Sequence, residues 1–569
     1  MPGTPARRET ALMAVATVAM GWPLLVYPIG LDEAFFGVAA ARMWRGLTLY
    51  TQTWDSKTPG IFFMYMLPVG LGGLRVWPIM LFHLVLLFAT ALAILRLVSC
   101  AFGHGPAWTG ALLYLMVACG WGRPSNIAQP DDWLLPFYLG GLGLLARAWL
   151  TPQGARRRAF VSGVFLGWAV NLRATMAPAA ILLPLIWLVL GRGAAAESSG
   201  SLVSLEASDP AWAGPWRRAW RLGTAYIAGG GAIALLTLAY PVITGSLDGL
   251  LYAQFEWNTR YAQTSARWDK ISALGLEHWF IKEWFFLFER WGLMHASLLL
   301  GAAGLAYRRW RGQPIPWRWI GVWAIGLAFG AVSLLAQLKL FDYHFWPVLP
   351  FLAMAAGLGL WPILRETVGR LWMRAETLRA AGKRWGLRTV AVAAGAGLLL
   401  VAQYTPSGYG VFRKRHKEAF NYVIGRDTRE DFYGRFERLG IYRPAEDWQM
   451  AQEILKRAPK GHPPNLYIWG TRPQIYFLCK TIGPSRFLAN FALRADWAPR
   501  EWWDELRREL HARPPDFVVV GRGDYFLWIT GNQGSSQDTM PDWLRAELDA
   551  HFRNVLTLKH CELWRRRRS

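Results

Sequence analysis

Long apolar runs alternate with short polar stretches along most of the chain, and the runs have membrane-crossing length. A helix needs about 17–25 largely apolar residues to cross a bilayer. By that measure the pattern predicts spans near 11–30, 77–99, 106–122, 132–149, 158–175, 176–191, 222–244, 291–307, 317–337, 345–363 and 388–404, eleven in all. The run from Pro59 to Gly73 is apolar but short and interrupted by Pro68 and several glycines, so it reads as a re-entrant or interfacial helix. Ahead of it, residues 31–45 show helical spacing, with Phe35, Phe36, Val38, Ala39, Met43 and Trp44 set against Arg42 and Arg45. Arg7 and Arg8 before an apolar run resemble a signal peptide, but the run continues to Leu31 with no small-x-small cleavage site. A retained signal-anchor is expected.

Beyond residue 404 the pattern changes. NLYIWG (465–470) and DFVVVG (516–521) are short apolar runs ending in glycine, which suits buried strands. PQIYFLCK (473–480) and PDWLRAELDAHF (541–552) read as helices, and NVLTLKHCELW (554–564) as one or two strands. GRGDYFLWITGNQGSSQD reads as a long loop. The expected architecture is a polytopic α-helical membrane domain over 1–404, with a first outer loop at 31–76, followed by a C-terminal α/β domain over 405–569.

Composition agrees with the membrane reading: apolar residues make up 53%, charged residues only 18%, and there are 34 tryptophans, a residue favoured at membrane interfaces. The formal charge of +24 would suggest nucleic acid in a soluble protein. Here much of it sits in loops at 150–158, 192–221, 308–318 and 364–388, the excess that marks cytoplasmic loops. Nucleic acid is therefore excluded as a partner. The alternate loops, 31–76, 123–131, 245–290 and 338–344, then face outward, and an odd number of spans puts the tail outside the cytoplasmic membrane as well. Residues 193–216, rich in Gly, Ser and Ala, read as a flexible loop. The four cysteines lack metal-type spacing, and Cys479 and Cys561 are a possible pair in an exported tail.

The polar residues that suggest chemistry gather on the outward side. Asp32 and Glu33 follow the first span, and Asp55 and Lys57 close the first loop. Asp131 and Asp132 stand in SNIAQPDDW, and Arg173 ends the fifth span. Asn258, Tyr261 and His278 lie in the third outer loop, Tyr343 and His344 in the fourth. A carboxylate can deprotonate an acceptor hydroxyl, while Arg and Lys hold a lipid phosphate that departs. Such an arrangement suits inverting transfer with a single base. Each pick has a plainer alternative: both acidic pairs suit helix N-termini, and Lys57 and Arg173 suit headgroup contacts. His83, in mid-span, reads as a hydrogen-bonded packing residue.

The "DEA" after the first span and the D-x-K-x-P stretch running into an apolar juxtamembrane helix resemble the GT-C glycosyltransferases. Within these they resemble the family of protein O-mannosyltransferases and bacterial lipid A aminoarabinose transferases, a glycosyltransferase family 39-like group. NIAQPDDWLLPFYLGGLGLLARA, GVFLGWAVNLRATMAPAAILLP, FEWNTRYA, FDYHFWPVLPFLAMAAG and LYIWGTRPQIYFLCKTIGPSRF are similar to further stretches of its bacterial members. The resemblance implies a polyprenyl-phosphate sugar donor, a lipid, envelope-glycan or protein acceptor, and inverting transfer outside the cytoplasmic membrane. It implies Asp32 as base with Glu33 beside it, Asp131 or Asp132 as a second acidic site, and Lys57 at the donor phosphate. Arg173, Tyr343 and His344 are further candidates for the phosphate, and Asn258 and Tyr261 for substrate. Some members carry a metal-binding Glu just before the lysine, where Ser56 stands here. A divalent metal is thus an open question, with Asp55 and His278 as weak candidate ligands. The rival readings are a transporter or flippase of polyprenyl-linked lipids and a non-catalytic scaffold. Repeated halves, the mark of many transporters, are not found.

Overall fold

The computed structural model describes residues 7–120, 127–187, 215–263, 292–337, 341–372, 409–437, 442–525, 527–531 and 534–567. The first predicted span is a helix over Arg7–Gly21 that tightens into a 3₁₀ turn, Trp22–Val26, where Pro23 removes a backbone donor. The next helices are Leu31–Trp44, Pro59–Gly72, Val76–Phe102, His104–Gly120, Leu135–Leu150 and Ala155–Leu172. Pro215–Ile243, Gly292–Trp310, Trp317–Ala336 and Leu349–Trp372 follow. Among the described residues, five helical stretches are long and apolar enough to cross a membrane: Arg7–Val26, Val76–Phe102, Pro130–Leu150, Arg217–Ile243 and Trp317–Ala336. The sixth predicted span, 176–191, is not one helix as far as it is described. It breaks into Ala174–Met176, Ala177–Leu182 and Leu183–Leu185, because Pro178 and Pro184 interrupt the hydrogen-bond ladder. The predicted span 388–404 and most of the loop 193–216 lie outside the described residues.

Small residues let the helices approach closely, as apolar surroundings favour. A Cβ on Gly163 would lie 2.0 Å from the Tyr226 carbonyl, and one on Gly229 2.0 Å from that of Phe160, so Ala155–Leu172 and Pro215–Ile243 touch backbone to backbone. Gly357 meets Gly110 in the same way, joining Leu349–Trp372 to His104–Gly120.

The tail folds around a four-stranded sheet. Its strands are β1 (Leu466–Trp469), β2 (Phe517–Gly521), β3 (Phe552–Thr557) and β4 (Cys561–Arg566), in the order β1-β2-β4-β3. β1 and β2 are parallel, joined through the helices Pro473–Leu478 and Glu501–Ala512, while the other pairings are antiparallel. β1 and β2 are buried throughout, as continuous apolar runs predict. Cys479 and Cys561 are both buried free thiols, so the possible disulfide is not formed.

One expectation in the first loop is corrected. Arg42 does not lie on a solvated face: it is buried, and Trp44 is the exposed residue, 58% accessible. Arg42 is drawn inward because its guanidinium finds Thr53 Oγ1 at 2.9 Å and three backbone carbonyls, those of Gln52, Ile482 and Gly483. Buried charge is tolerated when its donors are satisfied in this way.

Candidate active site

The loops predicted to face outward meet one another. Leu31–Trp44 begins at Gly30, whose Cβ-free backbone leaves room for the Glu33 carboxyl: a Cβ there would lie 1.9 Å from Glu33 Oε2. Glu33 is fully buried, and its Oε1 accepts from the Ile127 amide at 3.2 Å. Burial, with Asp32 and Asp132 beside it, pushes its pKa well above the usual carboxylate range and favours the neutral acid. Asp32, one residue earlier, is less buried. It is half-buried, and it lies near Asp55, Tyr261 and Tyr343 as well as Glu33. These residues come from three of the outer loops, so Asp32 stands where those loops converge.

Asp55 and Lys57 are tied together by their own turn. Asp55 Oδ1 accepts from the Lys57 amide at 2.8 Å, and Lys57 Nζ lies 3.8 Å from the same oxygen. The ammonium also sits 5.0 Å from the Phe36 ring centroid, and about a quarter of the side chain stays exposed. Burial pushes the Asp55 pKa up and Lys57 works against it. Asn258 donates to the Ser56 carbonyl at 2.9 Å, joined by Gln254 at 2.8 Å. Asn258 therefore holds the turn that presents Lys57, with one amide hydrogen committed to it. Tyr261 and Tyr343 are raised by burial and by the nearby Asp32 charge.

The second acidic pair divides its work. Asp131 is buried, and its Oδ1 faces Arg173 Nε at 3.2 Å and accepts from Gln337 Nε2 at 3.0 Å, while Arg173 donates also to Gln337 Oε1. Asp132 points away, and its Oδ2 accepts from the Ala128 amide at 3.0 Å. That bond closes the turn before the short helix Pro130–Trp133, the local use that a carboxylate in a first helical turn suits. His83 Nδ1 lies 3.7 Å from the same oxygen but accepts from the Trp133 indole at 3.1 Å. A ring nitrogen that accepts carries no proton, so this is a packed neutral histidine and not an ion pair. Tyr343 and His344 stack edge to face, 4.6 Å apart, beside Phe341. His278 lies outside the described residues, and among those described no group of three or more His, Cys, Asp or Glu is arranged to hold a metal.

Gln337 and Arg486 are not singled out in the sequence, and Arg42 reads there only as the polar side of its helix. Gln337, the last residue of an otherwise apolar predicted span, completes the Asp131–Arg173 group. Arg42 and Arg486 fasten the first loop to the tail. For Gln337 a signal existed, a polar residue where an apolar run meets a boundary; for the two arginines the partners are more than 400 positions away.

Residues 56–206 match the family described as dolichyl-phosphate-mannose-protein mannosyltransferase. No curated protein sequence matches the chain. Among solved structures, ArnT from Cupriavidus metallidurans bound to undecaprenyl phosphate is 15% identical, with 97% of each chain covered and a TM-score of 0.51. The oligosaccharyltransferase AglB from Archaeoglobus fulgidus, in complex with an inhibitory peptide and a dolichol-phosphate, is 13% identical, covering 90% of this chain and 69% of its own, with a TM-score of 0.44. The likeness to ArnT is one of fold and runs nearly end to end. The family match over 56–206 takes in Lys57, Asp131 and Arg173, and the fold is the multi-pass helical one of ArnT.

Proposed function

We propose that this protein transfers a sugar from a polyprenyl-phosphate donor to a lipid, envelope-glycan or protein acceptor, with inversion, on the outer side of the cytoplasmic membrane. The observation that carries the reading is the setting of Asp32. It is a half-open carboxylate at the meeting of three loops, beside a buried acid whose neutral form burial favours, sharing Asp55 as a neighbour with Lys57 and Tyr343 as a neighbour with Arg173. Asp32 takes the proton of the acceptor hydroxyl as that oxygen attacks the anomeric carbon. The bond from that carbon to the phosphate oxygen breaks, and the polyprenyl phosphate leaves with the electron pair. Lys57 and Arg173 face the growing charge on the phosphate, the kind of fixed electrostatic support that lowers a barrier most. A phosphate is a weak base, so its departure needs no strong general acid.

Membranes holding the protein, incubated with a panel of labelled polyprenyl-phosphate sugars, test the reading. Label in a new acceptor product with release of polyprenyl phosphate is expected from one member of the panel. Movement of intact donor across the bilayer without a product would favour the transporter reading instead. Lys57→Ala is expected to raise the donor KM more than it lowers kcat, because a phosphate charge is held in both ground and transition states.

Glu33 gives a contrasting expectation. Because burial favours its neutral form and one oxygen accepts from Ile127, Glu33→Gln keeps the shape, that form's neutrality and the hydrogen bond. Turnover within about tenfold of wild type is expected, a change of about 1.4 kcal/mol in barrier. A loss on the scale of an Asp32 variant would show that the Glu33 proton moves during the reaction.

A further inference from the structure

A continuous run of hydrogen bonds links the tail to Lys57. It begins at Arg486, which is 8% exposed and held from the tail side by Glu505 at 2.6 Å and by the rings of Phe487 and Trp502. Arg486 Nη1 donates to the Tyr50 carbonyl at 3.0 Å, and the Arg486 carbonyl accepts from the Trp54 amide at 3.1 Å. The first loop is thus pinned on both sides of its tip. Tyr50 in turn reaches inward, and its phenol donates to the Lys57 carbonyl at 2.8 Å. Tyr50 sits at φ +69°, a left-handed conformation that residues other than glycine seldom adopt. It is kept there by its amide bond to the Thr53 carbonyl and by Gly249, where a Cβ would come within 2.8 Å of the Tyr50 Cβ. Arg42 adds a second fastening, donating to the Gln52 carbonyl and to the carbonyls of Ile482 and Gly483 in the tail.

We propose that Tyr50 and Arg486 are positioning residues for Lys57, so that the tail is a working part of the donor-phosphate site. The inference rests on the phosphate role proposed for Lys57. The carbonyl that Tyr50 holds belongs to Lys57 itself, and the preceding carbonyl, that of Ser56, is held by Asn258 and Gln254. With both carbonyls fixed, the direction in which the lysine side chain leaves the backbone is fixed too. Removing the Tyr50 hydroxyl frees one of them without disturbing the buried ring.

The test uses the full chain in detergent, with undecaprenyl phosphate as the probe and tryptophan fluorescence as the readout. Wild type, Tyr50→Phe, Lys57→Ala and the double variant are compared, each with a thermal melt. Tyr50→Phe is expected to melt with wild type and bind about tenfold more weakly. Lys57→Ala is expected to bind more weakly still, and the double variant no more weakly than Lys57→Ala alone, because the tyrosine acts through the lysine. Additive losses, or wild-type binding by Tyr50→Phe while Lys57→Ala is weakened, would overturn the positioning role and leave the phosphate role intact. Wild-type binding by Lys57→Ala would overturn both. Should Tyr50→Phe lower the yield of folded protein, Arg486→Lys makes the same comparison, since it keeps the charge and loses the planar fork. Weakening that vanishes in the Lys57→Ala background is again expected, and weakening that persists there would contradict the proposal.

Discussion

Asp32→Asn is expected to abolish sugar transfer while the protein still folds and inserts. The half-exposed carboxylate is not holding the fold, so the amide costs little structurally, but it cannot take a proton from an attacking hydroxyl. General-base catalysis is worth roughly 10²–10⁴ in rate, and a fall of that size in kcat is the expected result. Donor binding, measured separately with undecaprenyl phosphate, should remain close to wild type, since Asp32 repels the phosphate if it acts on it at all. Turnover near that of wild type would remove Asp32 from the role of base.

The second large effect concerns stability. Arg472 is buried in the tail, where it donates to Asp447 Oδ1 at 2.7 Å and to Glu446 Oε2 at 3.2 Å. Glu446 also accepts from the His560 amide at 2.7 Å, so this group joins the helix Pro444–Arg457 to the turn between β3 and β4. Burial already pushes the Asp447 carboxyl up to about 7, so Arg472→Ala leaves it either buried without its counter-charge or neutral, with Glu446 losing its partner too; removing one partner of a buried pair costs up to about 3–5 kcal/mol. A marked fall in melting temperature, with early loss of tail structure in hydrogen exchange, is the expected outcome. A melt unchanged from wild type would show that the charges are not sharing the burial. Acid acts on the same group. Burial opposes the Glu446 charge, but Arg472 and His560 outweigh it and hold Glu446 below its usual 4.5. Its folded value is depressed, so its contribution is fully present above that pH and is lost as pH falls through the folded value. The Glu446 contribution should therefore shrink on acidification below about 4.5, so the melting temperatures of wild type and Glu446→Gln should draw together there.

Local pattern carried much of the architecture because a membrane forces each segment to satisfy its own backbone. Helices at Val76–Phe102, His104–Gly120 and Trp317–Ala336 lie within a few residues of their predicted spans. The strands of the tail were legible for a similar reason: LYIW and FVVVG are too apolar to lie anywhere but inside. The candidate site was legible as a list of residues gathered on one face. How those residues divide their tasks was not. Asp131 and Asp132 are neighbours of equal chemistry, yet one meets Arg173 and the other ties a turn, a difference set by which face of one helical turn each occupies. Arg42 looked like a solvated charge because its local spacing said so, and only the distant carbonyls of Ile482 and Gly483 explain its burial. The role of Asn258 was hidden in the same way, since its partner is a backbone carbonyl about 200 positions earlier.

A single-base displacement fixes the stereochemistry of the product, because the acceptor oxygen must enter opposite the departing phosphate. The anomeric configuration of the transferred sugar, read by NMR on product formed from a donor of known configuration, therefore tests the account most directly. Inversion is the predicted result. Retention would require two successive displacements through a covalent intermediate, and would contradict Asp32 acting as the sole base.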